Sequence, residues 1–548
     1  MSRPLNRRVS GWIWPLVIGL AFTLTWSSPA GADASRAADA SRAADASRAA
    51  DASRAADASR AGIGDAIDTI LADPLLKGGA AGVVVADADS GAVLYRHRPD
   101  DRLMPASNTK LFTSAAAMGL LGPDHRFRTD VLTDGSRRGH TLRGDLFLRG
   151  TGDPTMLAGD YDRLAKGVAD AGITEVSGRL IADDTRFDAQ RVGRSWAADD
   201  ESSYYAAQIS ALTLAPDTDY DAGSVIVEVT PGAATGDRPK VTVTPPNAYV
   251  RIDNRATTGS GGLTIERQHG SNTITVSGAL PAGAATAKEW VSVWAPTGYA
   301  TSVFADALER HGVRVAGPTR LGRAAPADAR TLTSHRSMPL KELLIPFMKL
   351  SNNIHAEALT KAIGYETAGR GTWDAGLAAI ADWLKKQGVD SGAVRQVDGS
   401  GLSRMDNIAA GRLTELLLSV RDEPWYADWY ASLPVACAPD RFVGGTLRSR
   451  MCSTPAAGNA RGKTGSLTGA SALSGYVTDA DGRELVYSVV LNNYLASSVK
   501  NLEDAIVVTL AKSGEGHAEA VRPRAVRGAP AATADAGREC SWVKPRRC

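Results

Sequence analysis

Cysteine is scarce in this sequence: there are four in 548 residues, Cys437, Cys452, Cys540 and Cys548, and none forms a Cys-x-x-Cys pair or has histidines close by. That scarcity speaks against a zinc site, which needs tighter ligand spacing. Basic runs are short and poor in aromatics, so no nucleic-acid track is expected. A Gly-x-Ser-x-Gly elbow is missing, which argues against an α/β-hydrolase. The longest apolar run near the N-terminus, about Gly11 to Trp26, is shorter than the ~20 residues a membrane span requires. It lies between a basic start and the small residues Ala30-Gly31-Ala32, the order of a secretory signal peptide spanning 1–32. The formal charge of +2 includes Arg3, Arg7 and Arg8 of that segment, and without them the balance turns slightly negative.

Export permits disulfides, and four cysteines allow three connectivities. Two short-loop pairs, Cys437–Cys452 and Cys540–Cys548, are the simplest choice. Residues 33–62 hold five tandem copies of "DASRAA", the last ending in Gly62, with nothing larger than alanine to bury, so a spacer is expected. Membrane contact is expected, if at all, only through an uncleaved signal or the tail.

Order is expected from Ile63, where "IGDAIDTILAD" has helical spacing, followed by a hairpin through Asp89-Ser90-Gly91 and the segment "PASNTKLFTSAAAMGLLG". From about 125 to 300 the chain turns to short β-like runs broken by Gly, Asn and Pro. Helical patterning then returns in "ATSVFADALERHG", "LKELLIPFMKL", "IHAEALTKAIGYE" and "AAGRLTELLLSV". Two strands joined through Asp481-Gly482 and a last helix, "NLEDAIVVTLA", close the ordered part. This gives a core of 63–124 with 301–512, a β-rich insertion at 125–300, and a mobile tail at 513–548.

Three motifs stand in order: Ser107-Asn108-Thr109-Lys110, Ser351-Asn352-Asn353 and Lys463-Thr464-Gly465. Residues three apart on a helix share a face, so Lys110 can reach the hydroxyl of Ser107. A serine hydroxyl becomes a good nucleophile only when a base takes its proton, and a lysine does so only as a neutral amine, a form that burial and a neighbouring cation such as Lys463 favour. Alone, Ser-x-x-Lys is weak: Ser497-Ser498-Val499-Lys500 matches it, but follows Lys-Thr-Gly and has no partner motifs after it.

The ordered trio resembles the penicillin-recognising serine acyltransferases. Further stretches, "LFLRGTGDPTM", "DDTRFD" with Trp196 after it, "DGSGLSRMDN" and "GKTGSLTGASALSGYV", resemble the D-alanyl-D-alanine carboxypeptidase/endopeptidase family S13, the class C low-molecular-mass penicillin-binding proteins, over about 65–512. Its long insertion between the first two motifs is matched here by 244 residues from Ser107 to Ser351. The resemblance implies an α/β fold: a transpeptidase-like domain, a five-stranded antiparallel sheet flanked by helices, with a β-rich two-part insertion. It implies a serine acyl-enzyme, acylated by penicillin, that cleaves the terminal D-Ala or the crosslink of peptidoglycan stem peptides without metal or cofactor. By the same resemblance Ser107, Lys110 and Ser351 are catalytic, with Ser351 relaying a proton and Asn353 donating to substrate amide and lysine.

Lys463 and Thr464 would hold the substrate's carboxylate on an edge strand, with Gly465 leaving room and the backbone N–H groups of Ser107 and Ser466 forming the oxyanion hole. Arg404, Asp200 and Leu467 are candidates for a pocket around a third-position diaminopimelic acid. His355-Ala356-Glu357 is expected to be a helix with a solvated histidine rather than a zinc motif. The alternatives are a serine β-lactamase, whose class A members have a much shorter first gap, and a non-catalytic wall sensor.

Overall fold

The computed structural model describes residues 62–514 and 518–524, together with Arg42. The signal segment, nearly all of the repeat spacer, Cys540 and Cys548 lie outside the described residues.

Five antiparallel strands form the central sheet, in the order Arg461–Leu467, Ala470–Thr478, Glu484–Asn492, Ala80–Asp87, Val93–His97. Successive side chains of a strand point to opposite faces, so continuous apolar runs here mean burial on both. Val84, Ala472, Tyr476, Val486 and Val490 enter one core with Phe112, Leu344, Leu359 and Leu413 from helices Thr109–Leu121, Leu340–Lys349, Asn353–Ala368 and Ala410–Ser419. Val83, Val85, Leu473, Leu485, Tyr487 and Val489 enter the other, against helix 62–71 and helix Lys500–Lys512. The helix-flanked antiparallel sheet expected from sequence is therefore present.

The inserted strands fall into two pairing groups. Strands between Arg128 and Asp183 pair with one another and with Arg314–Val315, Arg320–Leu321 and Arg330–Arg336. Among the described residues, strands between Ser224 and Ser292 pair with one another, with a single bridge from Val291 to Ser203 outside the group. The first group thus draws on residues well past 300, where the sequence reading returned the chain to its core. Helix Pro296–Arg310 explains the discrepancy: its amphipathic spacing looks like a core helix, but Tyr299, Phe304 and Leu308 pack with Tyr161, Leu164 and Val168 of helix Ala158–Asp170 in the insertion's own apolar cluster.

Among the described residues no helix is long and apolar enough to cross a membrane.

Candidate active site

Ser107 is not the N-cap that its Pro-Ala-Ser setting suggests. It sits inside a single 3-10 turn, Ala106–Asn108, entered through Ala106 at φ +47° and running straight into helix Thr109–Leu121. The turn packs against the edge strand Arg461–Leu467, and the closeness of that packing is what requires Gly465: a Cβ there would lie 2.6 Å from the Pro105 carbonyl oxygen and 3.1 Å from both Ala106 Cβ and Asn108 Nδ2. The room Gly465 leaves is thus filled first by the Ser107 turn of the protein itself.

Lys110, fully buried one turn on, places Nζ 2.8 Å from Ser107 Oγ, 2.5 Å from Asn353 Oδ1 and 2.8 Å from the Ser400 carbonyl oxygen. Asn353 therefore accepts from the lysine instead of donating to it, since an amine offers N–H groups; its Nδ2 donates to the Tyr205 carbonyl at 2.8 Å. The middle residue of Ser-x-Asn has a separate task. Asn352 caps helix Asn353–Ala368, its Oδ1 accepting from the backbone N–H groups of Ile354 and His355. The cap turns the chain sharply: Ser351 adopts φ +58°, a left-handed conformation that non-glycine residues seldom take outside functional sites. In that position Ser351 Oγ accepts from Lys463 Nζ at 2.8 Å. Lys463 also donates to the Thr464 carbonyl at 2.8 Å, and Thr464 Oγ1 donates to Thr446 Oγ1 at 2.8 Å.

Cys437 and Cys452 are bonded to each other, bracketing the segment that carries Thr446.

Beneath these groups lies a layer that sequence reasoning missed. The Ser400 carbonyl facing Lys110 is fixed because its loop wraps around buried carboxylates. Glu357 accepts from the N–H groups of Gly399 and Ser400 and from Trp373 Nε1. Asp398 accepts from Ser400, Gly401 and Ser403 N–H and from Trp196 Nε1. Asp406 accepts from Val397 N–H and, at 3.3 Å, from Thr109 Oγ1. Burial, with the charge of Asp398 beside it, pushes the Glu357 carboxyl up to about 7. The same two causes hold Asp406 well above the usual carboxylate range. The stretch "DGSGLSRMDN" carries Asp398 and Asp406 in the same segment as Arg404, and the pair of acids in it is the sequence signal for this layer. His355 is not solvated as expected: it is fully buried, its Nε2 3.0 Å from the Tyr220 carbonyl, and burial lowers its pKa to about 3.

The proposed specificity residues gather at one end of the site. Leu467 packs in a small cluster with Ala106, Leu402 and Tyr205. Arg404 Nη1 donates to the Thr468 carbonyl at 3.2 Å. Asp200 is buried and accepts from the Tyr205 hydroxyl at 2.8 Å, the same residue whose carbonyl holds Asn353.

Among the described residues Asp217, Asp219 and Asp221 bring carboxylate oxygens within 4.8 Å of one another; Arg441 pairs with Asp219 and Asn352 Nδ2 donates to Asp221.

A curated D-alanyl-D-alanine carboxypeptidase from Actinomadura sp. (strain R39) is 44% identical over 534 residues, covering 96% of this chain and 94% of the relative. D-alanyl-D-alanine carboxypeptidase DacB of Haemophilus influenzae is 25% identical, covering 79% and 89%. The crystal structure of penicillin binding protein 4 (dacB) from Haemophilus influenzae shares the fold, with a TM-score of 0.70 at 24% identity over 79% of this chain and 94% of that one. The profile of the D-Ala-D-Ala carboxypeptidase 3 (S13) family matches residues 63–513, and the chain belongs to that family.

Proposed function

We propose that this protein is an exported serine D-alanyl-D-alanine carboxypeptidase and endopeptidase of peptidoglycan stem peptides, acylated by β-lactams at Ser107. The observation that carries the reading is the 2.8 Å approach of Lys110 Nζ to Ser107 Oγ, with the Lys463–Ser351 hydrogen bond, also 2.8 Å, alongside. Asn353 Oδ1 and the Ser400 carbonyl accept N–H groups of Lys110, which suits a neutral Lys110 that turns its lone pair toward the Ser107 hydroxyl.

Ser107 Oγ attacks the penultimate D-Ala carbonyl as Lys110 takes the hydroxyl proton. The N–H groups of Ser107 and Ser466 stabilise the oxyanion that forms. Collapse breaks the peptide bond, and the departing amine receives its proton through Ser351, held by Lys463. Water then attacks the acyl-enzyme by the same steps in reverse order, releasing the shortened stem and restoring the serine. Lys463 and Thr464 favour the substrate's terminal carboxylate by charge and hydroxyl.

Export is supported by the N-terminal signal pattern and the Cys437–Cys452 bond, which suits an oxidising compartment. Arg404, Asp200 and Leu467 are proposed to receive a third-position diaminopimelic acid, whose side chain ends in an amine and a carboxylate.

Incubating the protein with a muropeptide pentapeptide and a crosslinked dimer, then identifying products by mass, tests the activity: loss of one alanine, or cleavage of the dimer, is expected, and neither product refutes it. For the pocket, acetylating the free diaminopimelyl amine should lower kcat/KM at least tenfold for wild type and much less for Asp200→Ala and Arg404→Ala. An equal loss in all three removes these residues from recognition.

A further inference from the structure

A cavity of about 510 Å³ lies apart from the catalytic groups, between the insertion and the far end of the helix that begins at Asn353. Tyr365 and Glu366, on its wall, are twelve and thirteen residues along that helix, roughly 18–20 Å from Asn353 at 1.5 Å per residue. The floor is the polar end of an inserted sheet. Asp130, Arg149 and Asp183 stand side by side on three adjacent strands, on the face that carries Leu132, Phe147 and Ile181 further along. Arg128 opens the first of these strands, and Arg126 enters from the segment just before it.

The lining holds four arginines against three carboxylates, and its donors are not exhausted. Arg128 and Arg149 share the buried Asp130 carboxylate, each through Nη2 at 3.0 Å. The Arg149 side chain makes that one hydrogen bond among the described residues, and the Arg126 side chain makes one, to the neutral Ser337 carbonyl at 2.6 Å. A guanidinium carries five N–H donors, so several remain in this small space. Arg186 is engaged with Glu366 and lies over the Tyr365 ring. The carboxylates limit what can enter. Asp183 accepts from Thr185 through its N–H and hydroxyl and from the Ala325 N–H, and Asp130 from its two arginines and Ser334, so each keeps about one lone pair for a hydroxyl while repelling dense negative charge.

Spare guanidinium donors call for an oxyanion, acidic acceptors call for hydroxyls, and the volume exceeds that of a bare phosphate while matching small-ligand sites. We infer that this cavity binds an anionic sugar, a saccharide unit bearing a single phosphate or carboxylate, at a place distinct from the peptide-cleaving site. Phosphate-bearing and carboxylate-bearing sugars share the chemistry, and the arms of the test separate them.

Calorimetric titration of the full chain with glucose 6-phosphate, glucuronate and glucose provides that test. At least one anionic sugar should bind at least tenfold more tightly than glucose, and which one does so assigns the oxyanion. Arg126→Gln and Arg149→Gln should each weaken that binding at least fivefold while leaving the rate of penicillin acylation unchanged; Arg126 is exposed, so its variant retains the fold even if the other does not. Protein already acylated with penicillin should bind the sugar as well as free protein does. The inference is overturned if neither anionic sugar exceeds glucose, if both variants bind like wild type, or if acylation abolishes binding, which would place the sugar in the catalytic cleft.

Discussion

Replacing Gly465 by alanine adds one methyl group to the protein, at the contact between the edge strand and the nucleophile turn. The new Cβ would stand 2.6 Å from the Pro105 carbonyl oxygen, roughly 0.8 Å inside the 3.4 Å at which ordinary contact begins, with Ala106 Cβ and Asn108 Nδ2 each at 3.1 Å. Two of these three neighbours are backbone or Cβ atoms that no rotamer change can move. The strand and the turn must therefore separate by about that distance. Overpacking of this kind destabilises by about 1–3 kcal/mol. The catalytic effect should be larger, because the two proposed oxyanion donors, the N–H groups of Ser107 and Ser466, sit on opposite sides of the contact, and a misplacement of about 1 Å lowers rates on the order of 100-fold. Stopped-flow acylation by a fluorescent penicillin, with the thermal midpoint measured in parallel, reads both numbers. A Gly465→Ala variant that acylates within threefold of wild type would show that the strand-to-turn spacing does not set the geometry of attack.

Lys110→Met keeps the buried bulk and removes the amine, so acylation should fall by about 10²–10⁴-fold with the protein still folded by circular dichroism; acylation near the wild-type rate would mean another base acts. Replacing both Cys437 and Cys452 by serine opens a 15-residue closure and should lower unfolding free energy by about 3 kcal/mol in urea titration, a loss below 1 kcal/mol contradicting a stabilising role. His355, neutral in the fold down to about pH 3, takes up a proton near 6.5 once unfolded, so its contribution is full above 6.5 and is lost as pH falls toward 3, by up to about 1.4 kcal/mol per pH unit. The stability gap between wild type and His355→Gln should accordingly narrow between pH 6.5 and 4, and a constant gap would refute the assignment. Glu357, raised to about 7, has the opposite sign between 7 and 4.5 and is common to both proteins, so it cancels in that comparison.

Much of this arrangement could be read from the chain because its chemistry is written in short-range spacing. Ser107 and Lys110 are three residues apart, Ser351 and Asn353 flank a cap, and the hairpin through Asp481-Gly482 joins two unbroken apolar strands. What could not be read depends on long-range approach. The 3-10 turn at Ser107 packs against an edge strand more than 350 residues later in the chain, a contact that local propensity does not carry. Glu357, Asp398 and Asp406 look like ordinary surface acids, since charged residues are seldom fully buried, yet each is enclosed by backbone N–H groups of one loop. Helix Pro296–Arg310 shows the same limit for domains: an amphipathic stripe reveals that a face is buried but not against what.

The central claim is that one serine, Ser107, carries the acyl group. Mass analysis of the intact protein after benzylpenicillin, followed by peptide mapping, measures this directly. A single adduct is expected, on the peptide containing residues 105–122, and absent from Ser107→Ala. An adduct at Ser497, or on Ser107→Ala, or no adduct on the wild type, would contradict the account.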